Sequence, residues 1–461
     1  MSTETITAEG FVAGEKVEMA DAGAAERAIA AAVEALPVLR RQSLGERAAI
    51  LDRLAALLGR RASTLAAEMA AEAGCLTQGD MVMEVERAID VIVLTAAAAR
   101  EGFDEVVNVE GSARGADTLG LVRRVPIGPM LAITAFNGPI LIATHKIAPA
   151  IAAGVPVVLK PSPRVPRAAV ALAELVQEAG WPAGALSVLP VGNEETMALV
   201  ADERLPVISF TGGDIGWAIR EAAPRKHVHL ELGGVGAMLV AADADLDDVA
   251  AQAVAGGFAR SGQACLSVQR IYVEEGAHDD LVAKLAERVD GLRVGDPSDP
   301  DADIGPLVDE RAAERVEGMV ADATEKGARV LCGGNREGTL MEPTLLTDVS
   351  PEMAVARREV FGPVIVVAKV ADMGEALREA NATGGILQAG VFTHDIDLAL
   401  TLADELQAGG VIVNGSNGWR VDNVPFGGVG PAGLGREGVR AMVEEMTQRK
   451  AIVVRRKTVE L

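Results

Sequence analysis

From residue 130 onward, short runs rich in Val, Ile and Leu alternate with helix-length stretches, and this alternation constrains the fold more than any other feature. Residues 130–134, 155–159, 186–189 and 207–210 read as strands. Residues 140–153, 168–179 and 194–201 read as helices between them, with Gly154 and Gly180 as stop signals. Alternating β and α of this length implies a parallel, doubly wound α/β sheet. A second α/β series follows Gly233-Gly234, with strands at 237–240, 270–273, 328–331, 364–370, 390–393 and 411–414. Ahead of both, residues 22–36, 43–71 and 84–100 carry charges at helical spacing and read as amphipathic helices. Residues 106–125 break around Gly111 and Gly115 into a hairpin-like pattern. The tail, 450–457, alternates as an exposed strand, which needs a pairing partner.

A chain of 461 residues is long enough for two or three domains of roughly 100–200 residues each. At 49% hydrophobic residues it can bury large cores. The formal charge of −23 argues against nucleic acid or an anionic membrane as partner, because both call for basic patches. Cys75, Cys265 and Cys332 are few, dispersed and odd in number, without metal-ligand spacing. That suits a reducing, cytoplasmic setting and speaks against a disulfide framework or a bound metal. The polar, acidic first ten residues show no signal-peptide pattern. The longest uncharged stretch, 125–144, is interrupted by Pro126, Gly128, Pro129, Asn137, Gly138 and Pro139. It reads as a buried strand, loop and helix start rather than a membrane span.

Two residues carry the chemistry. Cys265 sits in Ser-Gly-Gln-Ala-Cys-Leu (261–266), and Glu231, in Glu-Leu-Gly-Gly (231–234), lies 34 residues upstream. They supply a thiol to attack a carbonyl and a carboxylate to activate water. A thiol becomes nucleophilic where a helix N-terminus or positive charge favours its thiolate, and the small Gly262 and Ala264 give access. Cys75 and Cys332 read as structural thiols. Asn137, ahead of Gly138-Pro139, is either a turn residue or an amide that holds an oxyanion together with the backbone N–H of Cys265. The run Thr211-Gly212-Gly213-Asp214-Ile215-Gly216 joins a strand to a helix. It is either an ordinary βα turn or an anion site suited to a pyrophosphate. Lys160 and Ser162 at a strand end suit ribose hydroxyls or phosphate, and Glu359 with Phe361 suits a second ribose and a nicotinamide.

In order and spacing these motifs resemble the aldehyde dehydrogenase superfamily, over about residues 20–455. Pro425-Phe426-Gly427-Gly428-Val429 and Gly433-Leu434-Gly435-Arg436-Glu437 are similar to the family's closing stretch. The resemblance implies Cys265 as nucleophile, Glu231 as general base and Asn137 as oxyanion donor. It implies NAD or NADP, held by Lys160, Ser162, Phe210, Thr211, Gly212, Gly213, Gly216, Leu232, Gly233, Glu359 and Phe361. The implied fold is α/β, with a Rossmann-like dinucleotide-binding domain (1–101 and 124–232) and an α/β catalytic domain (233–429). A small β bridging element (102–123 and 430–461) would build a homodimer or homotetramer. The implied reaction oxidises an aldehyde to its acid through a thiohemiacetal and a thioester. A CoA-acylating enzyme, and a non-catalytic relative, are the competing functions.

Some positions depart from the family pattern. The usual Glu three residues after the lysine is Pro163, followed by Arg164, which can attract a 2′-phosphate or be a solvated charge. Gly213, Ala135, Gly138 and Gly430 stand where Ser, Pro, an aromatic and Lys are usual. Gly138 is expected to open space beside the thiol. His145 lies eight residues beyond Asn137, Arg260 five before Cys265, and Trp419-Arg420 in the loop at the tunnel mouth. We expect His145, Arg260, Arg420 and Trp419 to bind a small, anionic aldehyde, and within the superfamily the chain is similar to members acting on lactaldehyde, semialdehydes or phosphonoacetaldehyde.

Overall fold

Two capping boxes start the long N-terminal helices of the computed structural model, which describes residues 9–18, 23–299 and 301–456. Ser43 and Glu46 cap the helix Leu44–Ala73, which stops at the left-handed Gly74, and Thr77 and Asp80 cap Gln78–Glu101. Residues 1–8, position 22 at the start of the first expected helix, and Lys457 at the end of the expected tail strand lie outside the described residues. The first helix is described as Ala24–Leu39.

The first sheet has the strand order Gly433–Leu434, His227–Glu231, Val207–Thr211, Met130–Ile133, Val157–Lys160, Leu186–Val188, Glu9–Val12, Glu15–Glu18. Its five central strands are parallel. Period-two alternation splits their side chains between two cores: Met130 and Ala132 join one, Leu131 and Ile133 the other. The hairpin Glu9–Glu18 at the edge was not legible in the sequence. The chain enters at Met130–Ile133, runs outward to Leu186–Val188, then returns to Val207–Thr211 on the opposite side. That reversal leaves a crevice at the carboxyl ends of the two strands, the usual ligand position of such sheets.

The second sheet orders Arg329–Cys332, Thr344–Thr347, Val364–Val370, Arg270–Glu274, Ala237–Val240, Ile386–Phe392 and Ala408–Val413. Its strands fall close to the expected positions; Thr344–Thr347 was not anticipated. A separate three-stranded antiparallel sheet joins Glu105–Val107, Thr118–Pro126 and Thr447–Arg455. The stretch assigned to the bridging element is divided. Gly433–Leu434 adds to the first sheet, and Val439–Met446 buries Met442, Val443 and Met446 in the core beneath it. The apolar face of that short helix decides its placement.

Candidate active site

A cavity of about 1200 Å³ opens between the two large sheets, at the upper end for small-molecule sites. The first sheet gives the carboxyl ends of its strands: Ala135, Phe136 and Asn137 after Met130–Ile133, and Gly212, Gly213 and Asp214 after Val207–Thr211. The second gives segments ahead of its strands: Gly233, Gly234 and Val235, then Ala264, Cys265 and Leu266, then Glu359 and Phe361. Cys265, Glu231 and Asn137, which are far apart in sequence, all line it.

The loop carrying Cys265 is strained and tightly tethered. Arg260, Ser261 and Gly262 have φ of +54°, +57° and +71° in succession, costly for the two side-chain-bearing residues. A Cβ at Gly262 would lie 2.0 Å from the Gly362 carbonyl, so glycine lets this loop close on the one bearing Glu359. Ser261 exchanges two hydrogen bonds with Gly305, and Gln263 bonds Pro306 and Val308. The half-buried Cys265 thiol is pushed up to about 12, by burial first, then by Glu359 and Glu231. No helix begins at Cys265, and burial with the neighbouring carboxylates favours the neutral thiol over the thiolate. Burial likewise raises Cys75 to about 12 and Cys332 to about 11, and neither lines the cavity.

Asn137 spends one of its two amide donors on the Gln263 carbonyl at 2.9 Å. Its second N–H is left for a ligand. Its backbone carbonyl accepts from Arg260, whose guanidinium lies 3.4 Å from the fully buried Glu84. Glu84 in turn accepts from the backbone of Ile140 and Leu141, supplying the cap that helix Leu141–Ala153 otherwise lacks. Arg260 therefore holds the Asn137 turn. Gly138 does not open space: a Cβ there would come 3.0 Å from Ile142 and 3.3 Å from Arg260.

Glu231 is buried, and neither carboxylate oxygen has a protein hydrogen bond. Burial raises its carboxyl above the usual range, against the pull of His229. Burial also raises Glu359, which lines the same cavity, to about 7. Its Oε1, and the Thr211 hydroxyl, are buried acceptors without protein partners, which suits ribose hydroxyls. Gly213 faces open space, whereas Gly212 and Gly216 are small because Phe210 and Leu232 press on them. A Cβ at Gly233 would fall 2.0 Å from the Glu359 carboxylate. Phe361 meets Phe136 edge to face at 6.1 Å and lines the cavity. Lys160, Ser162, Phe210, Gly216 and Arg164 lie outside the lining. Lys160 sits on the strand beside Ile133, its ammonium weakened by burial. Arg164 is bound to Asp309 at 2.6 Å. The residues present fit a nicotinamide dinucleotide.

Another part of the cavity wall is a dense ionic network. His145 lies 3.3 Å from Asp422, Arg420 contacts Asp422 at 2.9 Å and Glu437 at 3.0 Å, and Arg87 reaches Asp422 at 3.1 Å. Arg420 stacks 4.0 Å over Phe426, and its Nη2 has no partner. Burial alone would raise Asp422, but His145, Arg420 and Arg87 hold it at about 2. Trp419 is 54% exposed and outside the lining. Asp422, Glu84 and Arg87 escaped the sequence reading; nothing local marks them. Among the described residues no group of three or more His, Cys, Asp or Glu is arranged for a metal, and no helix is long and apolar enough to cross a membrane.

Comparison with known proteins agrees with this geometry. The model of the aldehyde dehydrogenase family matches residues 11–452. The chain is 40% identical over 411 residues to 3-sulfolactaldehyde dehydrogenase of Priestia aryabhattai, covering 89% of this chain and 86% of that one. It is 36% identical over 386 residues to lactaldehyde dehydrogenase of Methanococcus aeolicus, covering 82% and 81%. Aldehyde dehydrogenase 21 from Physcomitrella patens, solved with the reaction product succinate, superposes with a TM-score of 0.92 at 36% identity, covering 99% and 96%. Glyceraldehyde-3-phosphate dehydrogenase GapN from Methanocaldococcus jannaschii, complexed with NADP, gives 0.90 at 34%, covering 99% and 100%. The chain belongs to the aldehyde dehydrogenase family and is an NAD(P)-dependent enzyme that oxidises aldehydes to acids.

Proposed function

We propose that the substrate is a small aldehyde carrying an anionic group, of the sulfolactaldehyde or semialdehyde kind. One observation carries this reading: the buried Arg420 guanidinium lines the cavity, is fixed by Asp422, Glu437 and Phe426, and keeps an unpartnered Nη2 donor. A preorganised guanidinium suits a carboxylate or sulfonate. Sulfolactaldehyde, for which one relative is named, and succinate, the product bound to another, carry such groups. His145 and Arg260 are engaged with protein groups, so we assign them to the frame of the site rather than to the anion.

The chemistry we assign runs through three residues that act on the substrate and three that would hold the cofactor. Cys265 loses its proton to a base of the site as its sulfur bonds the aldehyde carbon. The free N–H of Asn137 holds the developing oxyanion, an interaction worth roughly 3–4 kcal/mol to the transition state. Bound NAD(P)+ supplies the hydride acceptor, and Thr211, Glu359 and Phe361 hold and orient it. Glu231 then deprotonates the water that releases the acid. Its two unspent oxygens favour water over CoA as acyl acceptor. We divide the chain into dinucleotide-binding, catalytic and bridging parts around the three largest of its sheets. The exposed Val453 and Val454 on the outer strand support a homodimer or homotetramer, and three unpaired cysteines support a reducing compartment.

Steady-state rates with 3-sulfolactaldehyde, succinate semialdehyde and an uncharged aldehyde of similar size test the substrate. Arg420→Gln is expected to raise KM for the anionic substrates by about 10–100-fold, the worth of a charged hydrogen bond. The uncharged aldehyde and denaturant unfolding together separate loss of the anion contact from loss of the fold. Equal loss on all three substrates would sink the anionic reading.

A further inference from the structure

Glu231 ends a buried polar ladder. Ser209 and His229 are cross-strand partners on neighbouring parallel strands, as are Thr211 and Glu231 one step further on. Lys146, from helix Leu141–Ala153, is fully buried against them and donates to Ser209 Oγ at 2.8 Å. Ser209 Oγ lies 3.1 Å from His229 Nδ1, and His229 Nε2 lies 3.2 Å from Glu231 Oε1. Lys146, Ser209 and His229 are 0% exposed and Glu231 4%. Such positions in a doubly covered parallel sheet are normally apolar. Four adjacent polar groups there cost stability unless they satisfy one another.

Donor and acceptor counting fixes the direction of the ladder. An ammonium only donates, so Ser209 Oγ accepts from Lys146. The Ser209 hydroxyl proton is then free for Nδ1, which leaves the ring proton on Nε2, facing the carboxylate. The Nε2 to Oε1 contact at 3.2 Å is off the ideal hydrogen-bond line, so it holds Oε1 mainly by charge and leaves Oε2 for a water. Other charges near this pair are Glu437, Glu445 and Arg420.

We propose that His229 is the positioning residue for the general base: locked in its Nε2–H tautomer by Ser209 and Lys146, it anchors Glu231 for hydrolysis of the thioester. This rests on Glu231 being that base. In the step it supports, the water oxygen bonds the acyl carbon and its proton passes to Glu231. The C–S bond then breaks, its electron pair returns to the Cys265 sulfur, and the acid leaves. His229 gives up no proton.

Rapid-mixing measurement of the NAD(P)H burst, beside steady-state turnover, separates thioester formation from its hydrolysis. In His229→Leu the burst is expected to persist while turnover falls about 10–100-fold, part of the usual worth of general-base catalysis. Without the ring N–H the Glu231 carboxyl is less favoured in its ionised form, so the acid limb of the turnover profile moves to higher pH. His229→Gln, which restores a donor, is expected to recover most of the rate and return the limb. Turnover within twofold of the parent and an unmoved limb in His229→Leu would overturn the proposal. So would loss of the burst in both variants, which would make His229 merely structural. Glu231→Gln serves as the separate control. If it too hydrolyses normally, Glu231 is not the base; if it alone stalls, only the role of His229 fails.

Discussion

The two ends of the cavity are built on opposite principles. The cofactor end is sparse: Gly213 faces open space, and Thr211 and Glu359 wait with unspent acceptors. The substrate end is crowded, with Arg87, His145 and Arg420 converging on Asp422 and Glu437 inside the protein. A dinucleotide brings its own hydrogen-bonding groups, so its site needs room and a few acceptors. A small aldehyde brings little, so its site must be rigid beforehand, and buried charges held by several partners, with one Arg420 donor left over, give that rigidity. The crowded end should therefore tie activity to stability, and the sparse end should separate them.

Asp422→Asn is the strongest test of that contrast. It removes the shared partner of Arg87, Arg420 and the His145 imidazole in a largely buried network, a change that typically costs about 3–5 kcal/mol. Denaturant unfolding should show this loss, and activity on every aldehyde should fall with it. The sign with pH follows from a depressed carboxyl: at about 2 folded against 3.8 for the free group, its contribution is present above about pH 4 and lost as pH falls towards 2. The gap between parent and variant should close over that window. A stable, inactive variant would break the comparison.

Glu359→Gln probes the sparse end with a smaller effect. Cofactor KM should rise about tenfold for one weakened hydrogen-bond acceptor, while the fold holds. Burial raises this carboxyl to about 7, so the folded protein loses stability as pH climbs from the free value of 4.5 through 7. The Gln variant should match the parent at pH 5 and melt higher than it at pH 8.5. A large loss of stability at both pH values would show that this end is as interlocked as the other.

The same contrast explains what the sequence could show. Thr211-Gly212-Gly213 follows a strand in a short contiguous run, so its placement followed from the alternation of strands and helices. Cys265, Glu231, Asn137, Glu359 and Phe361 were legible through their resemblance to the family's motifs, and the cavity holds all five. The protonation of the thiol was not, because it depends on Glu359 and Glu231 closing around a buried sulfur. Arg260 and His145 looked like free cations because their partners, Glu84 and Asp422, lie 176 and 277 residues away in the chain. Period-two and helical spacing report which face a residue occupies, not who meets it across the core. Gly138 misled differently: a missing side chain reads as open space, yet Ile142 and Arg260 fill it.

Arg164 carries the smallest expected effect and the finest test of the sparse end. It stands next to Pro163, where a carboxylate would repel a 2′-phosphate, yet its guanidinium is bound to Asp309. Both side chains are largely exposed, so the pair itself is worth about 0–1 kcal/mol. Asp309 also caps the helix Glu310–Glu325 through Ala312, which fixes the carboxylate even if Arg164 swings away. If Arg164 serves NADP, it must exchange Asp309 for phosphate at little net cost. Arg164→Ala should then raise KM for NADP about threefold and leave NAD unchanged, whereas Asp309→Asn, which keeps a capping side chain, should lower KM for NADP. Opposite shifts from the two partners of one ion pair would show that the cofactor draws on a charge the empty protein stores elsewhere. Equal, null results would leave Arg164 a solvated surface charge, and the choice between NAD and NADP would fall to the groups inside the cavity.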